Sequence, residues 1–378
     1  MNSIDRVCVC INGRNVGTLT TSPVRTLAFS YDAEWLVDGY SISPLSLPLR
    51  EGVFIAKRDP LNGMFGVFDD SMPDGWGRLL TDRLLRQQGI DPYKISNLDR
   101  LSIVGTSGMG ALEYKPYTKL DQDTYDAANL DRIAAECARL LDTDFSDDLD
   151  QLFALGGSSG GARPKILTTI DNEEWIIKFP SSVDQPTIGE DEYRISNIAR
   201  ECGIDMPETR LFPSRHCAGY FGIRRFDRTR SANGHVTKVH MISAGGLLET
   251  SHRLANLDYG LLMRLTMRIC NSTDECRRLY RLMCFNVFIG NRDDHAKNFS
   301  YLYDPVQRIW KLSPAYDLTS NPGMNGEHTT TINGKGKGIT DTDLLGIGIK
   351  AGIPQSECAR IIMDIRDRLL DKGFSIQN

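Results

Sequence analysis

Gly290–Ser300 reads "GNRDDHAKNFS" and follows the apolar run "LMCFNVFI" at 282–289. Asp293, Asp294, His295, Lys297 and Asn298 crowd into this one loop. A solvated turn would explain the polarity by itself. The residues beyond it support another reading. "NFSYLYDPVQRIWKLSPAYDLTS" at 298–320 has the pattern of a hairpin, with strands "FSYLY" and "RIWKL" around a turn at Asp304-Pro305. A hairpin returns the chain to its start, so Asp317 is expected beside Asp293 and Asn298 despite the 24 positions from 293 to 317.

The order is buried helix, polar loop, hairpin, aspartate, and it suits phosphoryl transfer. Mg²⁺ takes oxygen ligands, commonly one or two carboxylates with phosphate oxygens and waters. In protein kinases a catalytic Asp is followed five positions later by a metal-binding Asn, and a later Asp binds metal as well. Asp293 and Asn298 have that spacing, and Asp317 follows. Asp294 could help hold the metal or simply be solvated, and the solvated reading is favoured.

Upstream segments supply further parts. Lys178 ends the strand pattern "EWIIK" and could hold phosphates, or could be a surface lysine with a buried stem. Glu192 lies in the next helical pattern, "GEDEYRISNIARECG", with Glu190 and Asp191 competing for the same pairing role. Before these comes "GGSSGGARPK" at 156–165. Its glycines would let backbone N–H groups approach phosphate oxygens. A flexible linker is the competing reading. It is not a Walker loop, since Ile166 follows Lys165.

The whole chain gives the setting. Its 378 residues exceed one comfortable core, so two or three substructures are expected. With 44 Lys and Arg against 49 Asp and Glu, the net charge of −5 gives no overall attraction to nucleic acid or an anionic membrane. No apolar run approaches the roughly 20 residues of a membrane span. The N-terminus shows no signal-peptide pattern. Nine scattered cysteines without paired Cys-x-x-Cys clusters read as reduced and structural, as in a cytoplasmic protein. "VCVCINGRNVGTLT" predicts a hairpin at Asn12-Gly13, "ILTTIDNEEWIIKFP" another at Asp171-Asn172, and 74–88 a helix ending at Gly89. Helical patterns recur at 131–141, 189–203 and through "DYGLLMRLTMRIC" and "DECRRLYRLMCFNVFI". A mixed α/β half thus precedes a mostly helical half. Boundaries are expected near 116–124 and 224–232.

Those segments together resemble the HipA family of bacterial toxin serine/threonine kinases, the toxin half of a toxin–antitoxin pair. "GRNVGTLT", "FSYDAEWL", "FDDSMPDGWGR" and "VGTSGMGAL" are similar to the family's N-terminal module. "GGARPK", "WIIKFP", "RRFDR", "NRDDHAKNFS" and "PAYDLTS" are similar to its kinase core. The resemblance implies an α+β, kinase-like two-lobed fold. An N-terminal module would occupy 1–118, an N-lobe 119–226 and a helical C-lobe 227–378. It implies ATP and Mg²⁺ as cofactors, Asp293 as catalytic base, and Asn298 and Asp317 as metal ligands. It places Ser158, Ser159, Gly160, Gly161, Ala162 and Lys165 of the glycine loop near ATP. Lys178 with Glu192, Arg225 and Phe226 of the connector, and His295 with Lys297 join that set. Ser158, with Ser159 adjacent, matches the serine that family members phosphorylate on themselves. The partners implied are a helix-turn-helix antitoxin (HipB-like), operator DNA mainly through it, and a translation-related protein substrate such as an aminoacyl-tRNA synthetase. A catalytically weak co-repressor subunit, a metal-dependent phosphoesterase and a small-molecule kinase of related architecture are the competing readings.

Overall fold

The computed structural model describes residues 4–119, 129–143, 148–231 and 233–376, so part of the boundary expected near 116–124 lies outside the described residues. The chain divides into two compact units. One comprises 1–190, 209–242 and 246–249; the other comprises 191–208, 243–245 and 250–378.

The first unit holds two larger antiparallel sheets beside the short antiparallel pair Arg228–Arg230 and Val236–Lys238. Arg6–Ile11 and Arg14–Thr21 form the expected hairpin, with Asn12 and Gly13 at φ 47° and 82°. Two positive φ values suit a tight hairpin turn, because their twist matches that of the flanking strands. Leu27–Tyr31 and then Phe54–Ile55 add on one side, and Leu112–Lys115 on the other. Val7 and Val9 point into the core while Cys8, between them, is half-exposed, as strand alternation requires. The second sheet has the order Lys165–Ile170, Glu173–Lys178, Tyr220–Arg224, Thr209–Phe212. Asp171 and Asn172 turn its hairpin, also at positive φ.

Helices cover that second sheet. Trp76, Leu80 and Leu84 recur every fourth residue along Gly75–Gln87, and Ile133, Cys137 and Leu140 lie on one face of Leu130–Thr143. Both stripes share a core with Trp175 and Ile177. The short helix Leu149–Gly156 runs straight into the glycine loop. The sequence reading did not anticipate it.

The second unit is mostly helical, as expected. Tyr259–Cys270, Thr273–Ile289, Asp341–Lys350 and Gln355–Asp371 are its longer helices from 250 onward. Thr273–Ile289 starts on the Ser272 side chain, which accepts from Glu275 N, and stops at Gly290 in the left-handed conformation. All of Leu282–Ile289 is buried, so the polar loop leaves the end of a helix wrapped on every side. Arg281 reaches Asp364 of Gln355–Asp371 at 2.7 Å. Short strands Leu257–Asp258 and Thr330–Thr331 pair in parallel.

Candidate active site

The polar loop of the second unit closes on itself. The Asp293 carbonyl accepts from His295 N at 2.9 Å and from Asn298 Nδ2 at 2.8 Å. Asn298 N in turn donates to the His295 carbonyl at 2.9 Å, within the short 3₁₀ turn Ala296–Asn298. His295 Nδ1 accepts from Lys297 N at 3.3 Å, which fixes the tautomer with the proton elsewhere. The Asp293 side chain is exposed.

The expected hairpin follows directly. Ser300–Asp304 pairs with Ile309–Leu312, and Ser313 N extends the ladder to the Ser300 carbonyl at 2.8 Å. Tyr316 then binds the polar loop: its hydroxyl donates to the Lys297 carbonyl at 2.6 Å and lies 2.5 Å from Ser300 Oγ. The next residue is Asp317, at φ 58°. Asp is among the few residues besides Gly that adopt this left-handed backbone readily. The hairpin and the Tyr316 clasp therefore bring the chain back to the loop that carries Asp293 and Asn298 one residue before Asp317.

Asn298 and Asp317 suit a hard cation. With Asn298 Nδ2 engaged on the Asp293 carbonyl, its Oδ1 is the end left for coordination, and Asp317 adds carboxylate oxygens. Among the described residues no group of three or more His, Cys, Asp or Glu side chains is placed to hold a metal ion. Mg²⁺ can be held by as few as one or two protein ligands, with phosphates and waters supplying the rest.

Asp294 corrects the sequence reading. Expected to be solvated, it is fully buried. Its carboxylate accepts from Tyr259 Oη at 2.9 Å and Thr330 N at 3.1 Å, and lies 3.2 Å from His328 Nδ1. Burial, and after it the charge of Asp294, holds the Tyr259 phenol well above its ordinary range, so it stays a donor. A solvated aspartate in a polar loop looks identical in sequence. Only the inward turn of the chain after Asp293 separates them.

In the first unit the glycine loop is docked on the N-terminal module. Gly161 N donates to the Asp74 carboxylate, and Trp76 N donates to the Gly161 carbonyl at 2.9 Å. A Cβ added at Gly77 would collide with the Ser159 carbonyl. Gly160, Gly161 and Ala162 are exposed. Ser158 is half-buried and donates to the Ser107 carbonyl at 3.0 Å, whereas Ser159 is buried and donates to the Gly156 carbonyl at 2.6 Å. Lys165 Nζ reaches the Gly160 carbonyl at 2.6 Å, and Arg163 pairs with Asp184 at 3.1 Å. Asp74 and Ser107 belong to segments whose link to this loop has no signal in the sequence.

Lys178 ends its strand opposite Phe221, half-buried, with Nζ 5.5 Å from the Phe221 ring centre. Of the three acidic competitors on Ile188–Glu201, Glu190 is exposed, Asp191 half-buried and Glu192 only 3% exposed. In the connector, Phe226 is half-buried. The Arg225 guanidinium is committed to Asp227, by Nε at 2.9 Å and Nη2 at 2.7 Å. Arg228 joins at 3.0 Å and Gly110 N at 2.7 Å. What Arg225 and Phe226 could offer a base beside them is backbone more than guanidinium.

Comparison with known proteins decides the family. Residues 7–115 match the HipA N-terminal domain and 157–372 the HipA-like C-terminal domain. The chain belongs to the HipA family. Similar curated proteins include "Putative kinase Y4dM" of Sinorhizobium fredii, 29% identical over 86% of this chain and 80% of that one. "Putative kinase Y4mE" of the same organism is 28% identical over 82% and 76%. The HipA fold extends over nearly the whole chain. A structure of Shewanella oneidensis HipA with HipB and operator DNA superposes with a TM-score of 0.73, covering 97% of this chain and 89% of that one at 17% identity. The HipA-like chain thus has the kinase-like, two-lobed α+β fold. Among its described residues no helix is long and apolar enough to cross a membrane.

Proposed function

We propose that this HipA-like protein is an ATP- and Mg²⁺-dependent serine/threonine kinase, the toxin of a toxin–antitoxin pair. The observation that carries the reading is the closed loop Asp293–Asn298, to which the hairpin and the Tyr316 hydroxyl bring the chain back just before Asp317. Asp293 orients the hydroxyl of the target and takes its proton as the oxygen attacks the γ-phosphorus and the bond to ADP breaks. Asn298 and Asp317 would hold Mg²⁺, which when bound neutralises charge on the phosphates. Lys178, kept in place by Glu192, and the glycine loop at 158–165 would hold the phosphates. The connector at 225–226 would lie beside the adenine, and His295 and Lys297 would keep the loop's shape.

The partner read here is a helix-turn-helix antitoxin like the HipB bound by the Shewanella protein, with operator DNA reached mainly through it. A translation-related protein such as an aminoacyl-tRNA synthetase is the target class. Nine cysteines without disulfides fit a cytoplasmic location. Ser158 is read as the self-phosphorylation site; its being half-buried where the adjacent Ser159 is buried supports it over Ser159. A phosphate there brings about −1.5 to −2 charge into a loop that would otherwise hold ATP, and removes the hydroxyl donor to Ser107.

Labelled ATP added to a lysate with the purified protein tests the reading. Wild type labels a discrete protein and itself at Ser158. Asp293→Ala loses about 10²–10⁴-fold in rate and keeps ATP affinity. Asp317→Ala also weakens Mg·ATP binding. Full transfer by Asp293→Ala would sink the assignment.

A further inference from the structure

Asp294 has a carboxylate that the proposed phosphoryl transfer does not use, yet it is fully buried. Tyr259 Oη and His328 Nδ1 meet its Oδ2, and Thr330 N meets its Oδ1. Its carbonyl accepts from Thr330 Oγ1. On the other side of Asp293, the Arg292 carbonyl accepts from Thr329 N and Thr329 Oγ1, both at 3.0 Å. The residues before and after Asp293, Arg292 and Asp294, are therefore both stitched to 328–330, and Thr330–Thr331 is itself paired with Leu257–Asp258.

A chain of aligned donors supports the carboxylate from below. Asn291 Nδ2 donates to Asn286 Oδ1 at 3.1 Å, and Asn286 Nδ2 to Tyr259 Oη at 3.0 Å. Tyr259 completes the chain on Asp294. Each member is buried, so a broken link leaves an unsatisfied group away from water. Bonds to an ionised acceptor are also about twice as strong as neutral ones. The anchor is therefore stiff, and the side chain next to it, Asp293, is exposed.

We propose that Asp294 is a positioning residue: its buried carboxylate, held by Tyr259, Thr330 and His328, sets where the neighbouring Asp293 carboxylate stands. The proposal rests on the kinase reading for what Asp293 does, but the anchoring itself does not. Asn replaces Asp with no change of volume and exchanges one charged acceptor for a donor. A displacement of about 1 Å at a reacting group can cost 10²-fold in rate.

The test uses the full chain and Asp294→Asn, with Tyr259→Phe as the milder variant should Asp294→Asn fail to fold. Amide hydrogen exchange is followed across 292–299, with 355–371 as reference. Faster exchange, by about tenfold, is expected in 292–299 alone. Steady-state transfer from labelled ATP should show kcat lowered by about 10- to 100-fold with KM for ATP within twofold; Tyr259→Phe should lower it severalfold. A loss confined to stability would leave kcat per folded molecule untouched. Unchanged exchange in the folded variant would overturn the anchor. Faster exchange with unchanged kcat would overturn the positioning role. Faster exchange in a protein whose wild type transfers no phosphate supports the anchor and overturns the kinase reading instead.

Discussion

Asp227 shows how a single residue can organise its surroundings. It is wholly buried and gathers Arg225, Arg228 and the Gly110 amide. Burial alone would push its carboxyl up; the two guanidiniums outweigh that and hold it below the usual range. The same guanidiniums reach the turn at 108–110: Arg228 donates to the Gly110 carbonyl at 2.8 Å and to Gly108 at 3.1 Å. Removing one partner from such a buried set leaves charge without compensation, at roughly 3–5 kcal/mol. Asp227→Asn is therefore expected to lower unfolding free energy by about 3–5 kcal/mol in urea titration. A loss below about 1 kcal/mol, the range of a surface pair, would contradict this account.

At the scale of elements, glycine spacing separates contact from mere flexibility. Gly77 lies in the first turn of Gly75–Gln87, where an added Cβ would meet the Ser159 carbonyl. Helix propensity favours alanine there, but the glycine loop stands in its way. Gly346 lies within Asp341–Lys350 with nothing within 4 Å of an added Cβ. Gly77→Ala should destabilise by about 1–3 kcal/mol, as overpacking does, and, under the proposed kinase function, raise KM for ATP by shifting the loop. Gly346→Ala should stabilise by about 0.5–1 kcal/mol, because alanine loses less backbone freedom on folding. Thermal melts of the two variants moving in the same direction would refute the distinction.

At the scale of the whole molecule, His240 gives the protein a pH dependence. It is buried, and its Nε2 lies 2.8 Å from the Ile42 carbonyl, 198 positions away. Burial lowers its pKa from 6.5 to about 4. The unfolded chain thus binds a proton that the folded one refuses between those values. The stability this histidine contributes is complete above about pH 6.5 and is lost as pH falls toward 4. The difference amounts to about 3 kcal/mol. His240→Gln should flatten the decline of unfolding free energy between pH 7 and pH 4. A variant that keeps the wild-type slope would assign it to other groups.

What the sequence by itself determined is local. The turns at Asn12-Gly13 and Asp171-Asn172, the periodic faces of Gly75–Gln87 and Leu130–Thr143, and the hairpin 300–312 follow from side-chain period and backbone preference. Both act over a few residues, so they can be read along the chain. The hairpin between Asn298 and Asp317 was legible for the same reason, since strand alternation and a turn are local rules. The structure alone decided which polar groups face inward. Asp293 and Asp294 are neighbours of one chemical type, yet one is exposed and the other enclosed by Tyr259, His328 and Thr330. Arg225 turns to Asp227, and Ser158 to Ser107 at 51 positions' distance. These choices depend on partners brought in from elsewhere in the chain. A buried carboxylate is stable only where several donors converge on it, and that convergence exists only once the tertiary structure has formed.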